Sequence, residues 1–363
     1  MLSPKKSSFF NKAPQFWEKR GLTSLVMWPL SWFYGFINRG LDLINDLDFR
    51  KQKVQVVPII IVGNIRVGGT GKTPIVIALA ERLALMGWKP GIISRGYGAS
   101  SSRLPTQVFS HSDPAKVGDE PVLIAKRTQD HFPLWVHPKR VQSIRSLLKQ
   151  DPTVNVIISD DGLQHRDLVR WPAREGGRDI ELVVRDQRGE GNGFLLPAGP
   201  LREPASRERD ATLITGMKNK SSHIDEYFLG RRAFKLNSQL GTPYQLVNPS
   251  NTQLLSSLAD VYPPNKITAV AAIGNPQRFF DDLLAYEIAA KAIGLPDHSA
   301  FTPEFFSAIN AECILITEKD AVKCTLINDE RIWVVPMSIE IPNALADWLQ
   351  SIVQRPDPNQ YTL

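Results

Sequence analysis

Short apolar runs recur along the chain, and segments with helical spacing separate them. Continuous apolar runs bounded by glycine or polar residues are typical of strands that are buried on both faces. The runs predicted as strands are 58–62, 90–94, 154–159, 180–184, 211–215, 267–273, 314–317 and 332–336. Their alternation with helical segments predicts an α/β fold with a mainly parallel sheet.

The N-terminal region combines basic residues with an aromatic-rich apolar run at 25–37. The run begins too far into the chain for a signal peptide, and it is shorter than the roughly 20 residues that a spanning helix needs. Tryptophan, tyrosine and lysine side chains together suit a helix that lies among lipid headgroups. We therefore expect a membrane-associated helix, with a helix packed on the protein's own core as the alternative.

Composition narrows the class of protein without fixing it. The 363 residues are 42% hydrophobic and 22% charged, with a net charge of +6, which suits a globular chain of two domains. The charge fits an anionic partner such as ATP, a phosphorylated substrate or a membrane surface, although solubility explains it equally well. No basic cluster interleaved with aromatics argues for nucleic acid. Cys313 and Cys324 lack metal-ligand spacing and are expected to pack in a core.

A glycine-rich loop between a predicted strand and a predicted helix is the strongest local motif. Backbone N–H groups of such a loop, with the helix N-terminus, bind the phosphates of a nucleotide. The predicted nucleotide-binding residues are Gly68, Gly69, Thr70, Gly71, Lys72, Thr73 and Pro74. Lys72 would reach the outer phosphates and Thr73 would bind magnesium. Arg66 stands where the strict motif has glycine, and Val67 where partition ATPases have a second lysine.

Two carboxylates follow the predicted strand 154–159. Asp160 and Asp161 would meet the magnesium ion opposite the phosphate loop, because this ion prefers carboxylate oxygens, water and phosphate. On an extended backbone the two side chains would point in opposite directions, so that one faces the metal. His165, five residues beyond Asp160, suits either a site role or a structural hydrogen bond.

Two further segments carry charged residues in predicted loops. Asp119 and Glu120 precede a helical pattern, where capping of the helix is the favoured role on sequence alone. The proline-rich loop 196–204 presents Arg202 and Glu203, and an arginine there could bind phosphate with both of its outer nitrogens.

Many segments in order resemble one family, the tetraacyldisaccharide 4′-kinases of lipid A synthesis. The most specific are DDGLQH at 160–165, LPAGPLRE at 196–203 and TEKDAVK at 317–323. The others are 29–35, 62–64, 68–74, 94–98, 118–121, 191–193, 274–280 and 297–298. The resemblance implies transfer of the ATP γ-phosphate to the 4′-hydroxyl of a tetraacyldisaccharide 1-phosphate lipid. It also implies a peripheral enzyme at the cytoplasmic face of a Gram-negative inner membrane, with no evident protein partner.

The resemblance assigns roles that spacing alone does not. It raises Asp119 from a capping residue to a candidate catalytic base paired with His298, and it adds Lys72 and Arg202 to the catalytic set. It assigns Thr73, Asp160, Asp161 and Glu203 to magnesium. It marks Arg140, Asn192 and Tyr97 as substrate-binding.

The predicted domains are a membrane-associated helix in 1–52, a P-loop kinase core in 53–225 and a smaller α/β domain in 226–363 that closes over the active site. The polar stretch 216–250 is predicted to be irregular. Residues 171–178 resemble an insertion that forms a surface loop, and Glu190 stands where relatives carry an aromatic residue. A membrane-associated switch ATPase and a non-catalytic membrane-binding module are the alternative functions.

Overall fold

The structure, a computed structural model, describes residues 15–46, 57–96, 104–216, 226–228 and 230–356. The chain forms two compact units. The larger comprises Glu18–Ser238 and Ile339–Leu363, and the smaller comprises Gln239–Ser338 with the N-terminal segment through Trp17. The division into domains at 1–52, 53–225 and 226–363 stays a prediction.

The strands run in chain order as follows: β1 Ile59–Gly63, β2 Pro90–Ser94, β3 Thr106–Val108, β4 Leu134–Val136, β5 Val156–Asp160, β6 Ile180–Arg185, β7 Ala211–Thr215, β8 Glu226–Phe228, β9 Arg231–Leu240, β10 Tyr244–Gln245, β11 Ile267–Ala271, β12 Lys291–Gly294, β13 Cys313–Thr317, β14 Ile332–Val335 and β15 Met337–Glu340. Each of the eight predicted strands is present. The expectation of irregular structure over 216–250 is wrong, because β9 is ten residues long and β8 and β10 flank it.

The α-helices run in chain order as follows: α1 Leu22–Asp46, α2 Lys72–Leu85, α3 Pro114–Val117, α4 Asp119–Arg127, α5 Arg140–Gln150, α6 Leu255–Val261, α7 Pro276–Ala285, α8 Pro303–Ser307, α9 Glu318–Ala321 and α10 Asn343–Val353. Short 3-10 turns occupy Gln15–Trp17, Ala173–Glu175 and Pro264–Lys266.

The main sheet has the strand order β15-β9-β7-β6-β1-β5-β2-β4-β3, with β8 paired to β9. The pairs from β9 through β4 along this order are parallel, and β3 and β8 are antiparallel additions. The predicted α/β fold with a mainly parallel sheet is therefore confirmed. β1 is buried throughout and lies directly between β5 and β6. Polar residues that follow β1 and β5 therefore meet at one edge of the sheet.

The smaller unit has its own sheet, in the order β10-β14-β13-β11-β12. Apolar residues cover both of its faces. One face packs Leu258, Leu283 and Trp333 together, and the other packs Phe306 and Ile332. Cys313 and Cys324 are buried without a disulfide, and burial raises the pKa of each thiol to about 12, as expected of packing residues.

Helix α1 is longer than its apolar core suggested and presents its polar face to the protein. It spans 25 residues, whereas the sequence run covers 25–37. Ser24 and Ser31 are buried, and Ser31 Oγ donates to Leu195 O at 2.6 Å and accepts from Ala198 N at 3.0 Å. The exposed large apolar residues on it are Leu22, Leu25, Val26, Trp28, Leu30, Trp32, Phe33, Phe36, Ile37, Leu41, Leu43 and Ile44. Packing of α1 on the protein's own core, the alternative from sequence, does not account for these side chains.

No helix in the described part of the chain combines the length and the apolar character needed to cross a bilayer.

Candidate active site

The phosphate loop joins β1 to α2 with the geometry that anion binding requires. Gly68 and Gly71 have φ angles of 101° and 77°, a region that glycine enters without steric cost. Gly71 is the residue before α2, so Lys72 and Thr73 form the first helical turn. The helix therefore begins two residues earlier than its predicted first residue, Pro74. The positive end of its dipole lies at the loop.

Neighbouring loops hold the phosphate loop in place. Val67 N donates to Pro200 O at 2.9 Å, and Arg202 N donates to Ile65 O at 2.7 Å. Arg66, the residue that departs from the motif, is buried and donates to the carbonyl oxygens of Arg188 and Gly189 at 3.2 and 3.3 Å. Its other outer nitrogen forms an ion pair with Glu18. Arg66 thus braces the loop through its side chain.

Lys72, Asp161 and Arg202 converge beside the loop. Lys72 Nζ lies 3.3 Å from Asp161 Oδ1, and Arg202 Nη1 lies 3.9 Å from Asp161 Oδ2. The juxtaposition follows from strand order, because Val62 in β1 is in register with Asp160 in β5 and Asp161 N donates to Val62 O at 2.8 Å. Burial opposes ionisation of Asp161, but Lys72 and Arg202 outweigh it and lower the pKa of Asp161.

The two neighbouring acids differ in environment. Asp161 has a φ of 52°, so the expectation of an extended backbone through both residues is wrong. Asp160 is buried, and burial, reinforced by the charge of Glu120, raises the pKa of Asp160 to about 7. Its Oδ2 accepts from Ser94 Oγ at 3.3 Å. Its Oδ1 is buried without a hydrogen-bond partner in the described residues. A carboxylate oxygen in this position fits a cation as its missing partner.

The described residues hold no cluster of three or more histidine, cysteine, aspartate or glutamate side chains suited to a metal. A site of this kind would need oxygen ligands from elsewhere. Magnesium normally takes them from water and substrate phosphates and needs only one or two carboxylates from the protein. The assignment of Thr73, Asp160 and Asp161 to magnesium stays a prediction.

Arg140 and His165 lie behind the acids. Arg140 is 1% exposed and donates to the carbonyl oxygens of Asp160 and Asp161 at 2.8 and 3.2 Å, so it holds the turn that carries both acids. Burial lowers the pKa of Arg140 to about 10, which leaves it charged at neutral pH. Burial, with Arg140 and Arg95 nearby, lowers the pKa of His165 to about 4. His165 is therefore neutral at physiological pH.

Asp119 is the first residue of α4 rather than part of a preceding loop. It is buried, and its Oδ1 accepts from Glu120 N at 2.9 Å. Because Glu120 raises the pKa of Asp160 through its charge, the beginning of α4 lies near the acid pair. Gly118 is the residue before the helix and has no side chain to cap it, so Asp119 lies in the first turn instead of at the cap. Its role as a catalytic base stays a prediction.

Glu203 is held by two side chains. Gln164 Nε2 donates to Glu203 Oε1 at 2.7 Å and to Asn64 O at 3.1 Å, and Arg207 forms an ion pair with the other Glu203 oxygen. Arg207 also contacts Glu181, which lies in β6 beside β1. Gln164 thus connects the loop that carries Glu203 to the end of β1.

Glu181 is the buried centre of a charged cluster that the sequence did not reveal. Its carboxylate contacts Arg170 at 2.6 Å, Arg174 at 2.9 Å and Arg207 at 3.2 Å. Burial opposes ionisation of Glu181, but these guanidinium groups outweigh it and lower the pKa of Glu181 to about 2. Arg174 comes from the apparent insertion 171–178, which therefore contributes to a buried network as well as to the surface.

The remaining predicted substrate-binding residues have different outcomes. Asn192 is buried, and its side chain donates to Ala198 O at 2.8 Å and accepts from Phe194 N at 3.0 Å, so it holds together the segment that follows β6. Tyr97 lies outside the described residues. Glu190 pairs with Arg185 at 2.9 Å, which defines the contact of its loop.

His298 belongs to the smaller unit and has a φ of 60°. Asp297 Oδ1 accepts from His298 N at 3.0 Å and from Lys319 Nζ at 3.3 Å, and Asp297 Oδ2 lies 3.6 Å from His298 Nε2. Lys319 belongs to the TEKDAVK segment, whose Asp320 is buried and bonded to Ala272 N. The pairing of His298 with Asp119 stays a prediction.

A cavity of about 1280 Å³ lies between α1 and the loops that follow β5 and β6. Its walls combine aromatic residues of α1 with basic side chains of the loops. They include Trp32, Phe36, Arg170, Arg174, Arg202 and Arg207. Since Arg202 also contacts Asp161, the cavity extends to the edge of the nucleotide site.

Comparisons with known proteins identify relatives over almost the whole chain. A family model described as tetraacyldisaccharide-1-P 4′-kinase matches residues 23–354. The chain is 70% identical over 363 residues to the tetraacyldisaccharide 4′-kinase of Polynucleobacter necessarius subsp. necessarius (strain STIR1), which covers 98% of this chain and 99% of the relative. It is 66% identical over 360 residues to the protein of the same name from Polynucleobacter asymbioticus, with coverage of 98% and 99%.

A solved structure has the same fold. It is the "apo" form of LpxK from Aquifex aeolicus in complex with ATP, with a TM-score of 0.70 and 27% sequence identity. The match covers 92% of this chain and all of that one, at 100%.

Proposed function

The chain belongs to the tetraacyldisaccharide 4′-kinase family, and we propose that it transfers the ATP γ-phosphate to the 4′-hydroxyl of a tetraacyldisaccharide 1-phosphate lipid. The product would be the next intermediate of lipid A synthesis, lipid IVA. The relatives support this kinase activity and give no support to the switch-ATPase alternative. The convergence of Lys72, Asp161 and Arg202 at the phosphate loop is the observation that carries the proposal.

The nucleotide would bind with its phosphates over the first turn of α2. Loop N–H groups and the helix dipole would hold the phosphate oxygens, and Lys72 and Arg202 would neutralise charge on the transferred group. Thr73, Asp160 and Asp161 are the residues proposed to hold magnesium, and Glu203 would assist from the neighbouring loop. When bound, the ion would offset negative charge on the phosphates. Lys72 and Arg202, the two cations proposed to contact the phosphates, both lie beside Asp161.

Asp119 is the proposed acceptor of the proton that leaves the attacking hydroxyl. A sugar hydroxyl becomes a better nucleophile as its proton is transferred, and a carboxylate within hydrogen-bond reach can accept it. The family resemblance pairs Asp119 with His298, which would share or orient that proton. The position of Asp119 at the beginning of α4, close enough to the acid pair for Glu120 to act on Asp160, supports the assignment.

The cavity beside α1 is the proposed entrance for the acceptor lipid. Its basic side chains suit a sugar phosphate, while the exposed apolar face of α1 suits acyl chains or the membrane surface. Arg39 and Arg20 at α1 would add attraction to anionic lipid. We therefore propose a peripheral location on the cytoplasmic face of the inner membrane, without a required protein partner.

Label transfer tests the kinase function directly. The pure protein is incubated with ATP labelled at the γ-phosphate, magnesium and a tetraacyldisaccharide 1-phosphate in detergent, and the lipid is then separated from nucleotide. We expect label in the lipid at the 4′ position. Release of labelled phosphate at a steady rate with none in the lipid would overturn the proposal and favour a switch ATPase.

A further inference from the structure

Asn64 is the first residue after β1, and its side chain bonds to both ends of the phosphate loop. It is 1% exposed. Its Nδ2 donates to Arg66 O at 2.6 Å and to Gly68 O at 3.3 Å. Its Oδ1 accepts from Lys72 Nζ at 3.0 Å. One amide side chain therefore contacts the beginning of the loop, its middle and the lysine that follows it.

The chemistry of these partners fixes the orientation of the amide. Two carbonyl oxygens need donors, and the Lys72 ammonium needs an acceptor, because a lysine ammonium has donors only. The opposite orientation would put the amide NH₂ against the ammonium and the amide oxygen against two carbonyls. Of the side chains similar in size, only asparagine supplies both donors and the acceptor. Aspartate keeps the acceptor and loses the donors, and leucine loses all three.

From these contacts we propose that Asn64 is a positioning residue that directs the Lys72 ammonium toward the phosphates of bound nucleotide. The inference rests on the proposed function only in assigning Lys72 to the ATP phosphates. Asn64 Oδ1 holds the ammonium through a neutral dipole, so the full positive charge of Lys72 remains for phosphate. The other oxygen within reach of Lys72, Asp161 Oδ1 at 3.3 Å, carries a charge that partly cancels it.

The bond to Gly68 also orients the loop. The C=O and N–H of one trans peptide unit point in opposite directions. Because Gly68 O faces Asn64, the N–H of Gly69 is directed away from Asn64. The same side chain thus orients a loop peptide and the lysine together.

The backbone of Asn64 is itself held. Gln164 Nε2 donates to Asn64 O at 3.1 Å and to Glu203 Oε1 at 2.7 Å, and Arg202 N donates to Ile65 O at 2.7 Å. The main chain at Asn64 and Ile65 is therefore tied to the loop that carries Arg202 and Glu203. This rigid mounting is what a positioning side chain requires.

A double-mutant cycle tests whether Asn64 acts through Lys72. The dissociation constant of a fluorescent ATP analogue with magnesium is measured for the wild type, Asn64→Ala, Lys72→Met and the double variant. Hydrogen bonds to charged groups are worth enough for a loss of about tenfold in affinity on Asn64→Ala. In the Lys72→Met background the same change should cost about threefold or less. Equal losses in both backgrounds would overturn the inference.

Asn64→Asp separates positioning from a merely structural role and serves if Asn64→Ala does not fold. Aspartate keeps an acceptor for Lys72, so we expect its kcat to lie about tenfold or more above that of Asn64→Ala, with a raised KM for ATP. A purely structural role predicts that Asp, which cannot donate to either carbonyl, is as impaired as Ala in kcat, and that result would contradict the proposal.

Asn155→Ala is the matched control. Asn155 precedes β5 at the opposite end of the sheet, where its Oδ1 accepts from Lys89 N at 2.7 Å. Its removal deletes a side-chain-to-backbone bond without touching the loop, so ATP affinity should be unchanged.

Label transfer by the same wild-type preparation separates the two proposals. If label is transferred to lipid but the double-mutant cycle is additive, the proposed role of Asn64 is rejected and the kinase function stands. ATP binding without transfer rejects the kinase function, while the cycle still reports on Asn64.

Discussion

At the level of single residues, the site is an arrangement of closely spaced opposite charges. Asp161 lies between Lys72 and Arg202, and Asp160 lies buried beside it with one oxygen that has no partner among the described residues. Arg140 fixes the turn that carries both acids through their carbonyl oxygens. The two adjacent carboxylates therefore differ in solvation, in pKa and in the cations that face them.

Asp119→Asn distinguishes catalysis from helix capping at this scale. Asparagine is also a good residue at a helix N-terminus, so the capping contact and the fold should be retained. Loss of the proton acceptor should lower kcat by about 10²- to 10⁴-fold. The measurement is label transfer to lipid, with ATP affinity followed in parallel.

Unchanged ATP affinity is the internal control for Asp119→Asn. If the variant keeps near-normal turnover, Asp119 is a capping residue and another group accepts the proton. Asp113→Asn offers an external control, because Asp113 accepts from Ala115 N at the beginning of α3 and has no proposed role in catalysis.

At the level of secondary structure, α1 turns its polar face toward the protein, which is the reverse of a helix that packs on an apolar core. Its serines face the protein, whereas its large apolar side chains are exposed, and Trp28, Trp32 and Phe36 also line the cavity beside it. Contacts at both ends keep it in place. Arg20 donates to Asn192 O at 3.1 Å, and Arg166 forms an ion pair with Asp42 at 2.5 Å. A helix mounted in this way presents a fixed apolar surface.

Replacing two outward aromatics of α1 should weaken binding to membranes without unfolding the protein. Trp32 and Phe36 are 77% and 74% exposed, so Trp32→Ser with Phe36→Ser removes little packing. Each aromatic side chain transferred from water contributes about 1.5–3 kcal/mol, which predicts a loss of at least about tenfold in partitioning. Co-sedimentation with vesicles that contain anionic lipid measures it.

Leu85→Ser is the control for the α1 variant. Leu85 is 81% exposed at the end of α2 in the same unit, so its replacement removes exposed apolar surface of a comparable kind away from α1. We expect its vesicle binding to equal that of the wild type. Equal binding by the α1 variant would show that the membrane contact lies elsewhere in the chain.

At the scale of the whole molecule, stability depends on a buried ionic centre that joins distant parts of the larger unit. Glu181 in β6 binds arginines from the segment after β5 and from the loop after Glu203. Removing one partner from a buried ion pair leaves the other charge buried without compensation. The free-energy cost of that change exceeds the stability that the intact pair adds over an apolar pair of similar size.

Glu181→Gln should lower the free energy of unfolding by about 3 kcal/mol at neutral pH, as the lowering of the pKa implies. The pKa of Glu181 falls from an ordinary 4.5 to about 2. A lowered pKa means that the unfolded state binds the proton more readily. The contribution is therefore fully present above about pH 4.5 and is lost as the pH falls toward 2. Urea unfolding of both proteins across this range measures the difference.

Glu175→Gln is the control for the charge change. The Glu175 side chain is 67% exposed and lies 3.6 Å from Arg174, so its loss should cost about 0.5 kcal/mol or less. A difference between Glu181→Gln and the wild type that stays constant from neutral pH to the acid limit would contradict the assignment of the stabilisation to an ionised Glu181.

The strands and the phosphate loop could be predicted from sequence because their signals are local. A short apolar run such as 58–62 between helical segments suits an interior strand that is buried on both faces. The glycines within 68–73 allow the backbone conformation that the loop needs. The helix limits were less accurate. Asp119 was placed before its helix because aspartate favours both a cap and a first turn, and the two roles differ by one residue in position.

The α/β class, the phosphate loop, the acid pair and the family could all be predicted before any contact was known, because each depends on contiguous residues. Which separate residues come into contact follows from the folded chain. The contacts of Gln164 with Glu203 and of Glu181 with three arginines depend on the order β6-β1-β5, which brings separate segments together. The contact of Asn64 with Lys72 depends on how the loop between β1 and α2 folds back on the end of the strand. The folded chain also decides the direction of α1, since periodicity defines an apolar face but packing of Ser24 and Ser31 determines which face the protein covers.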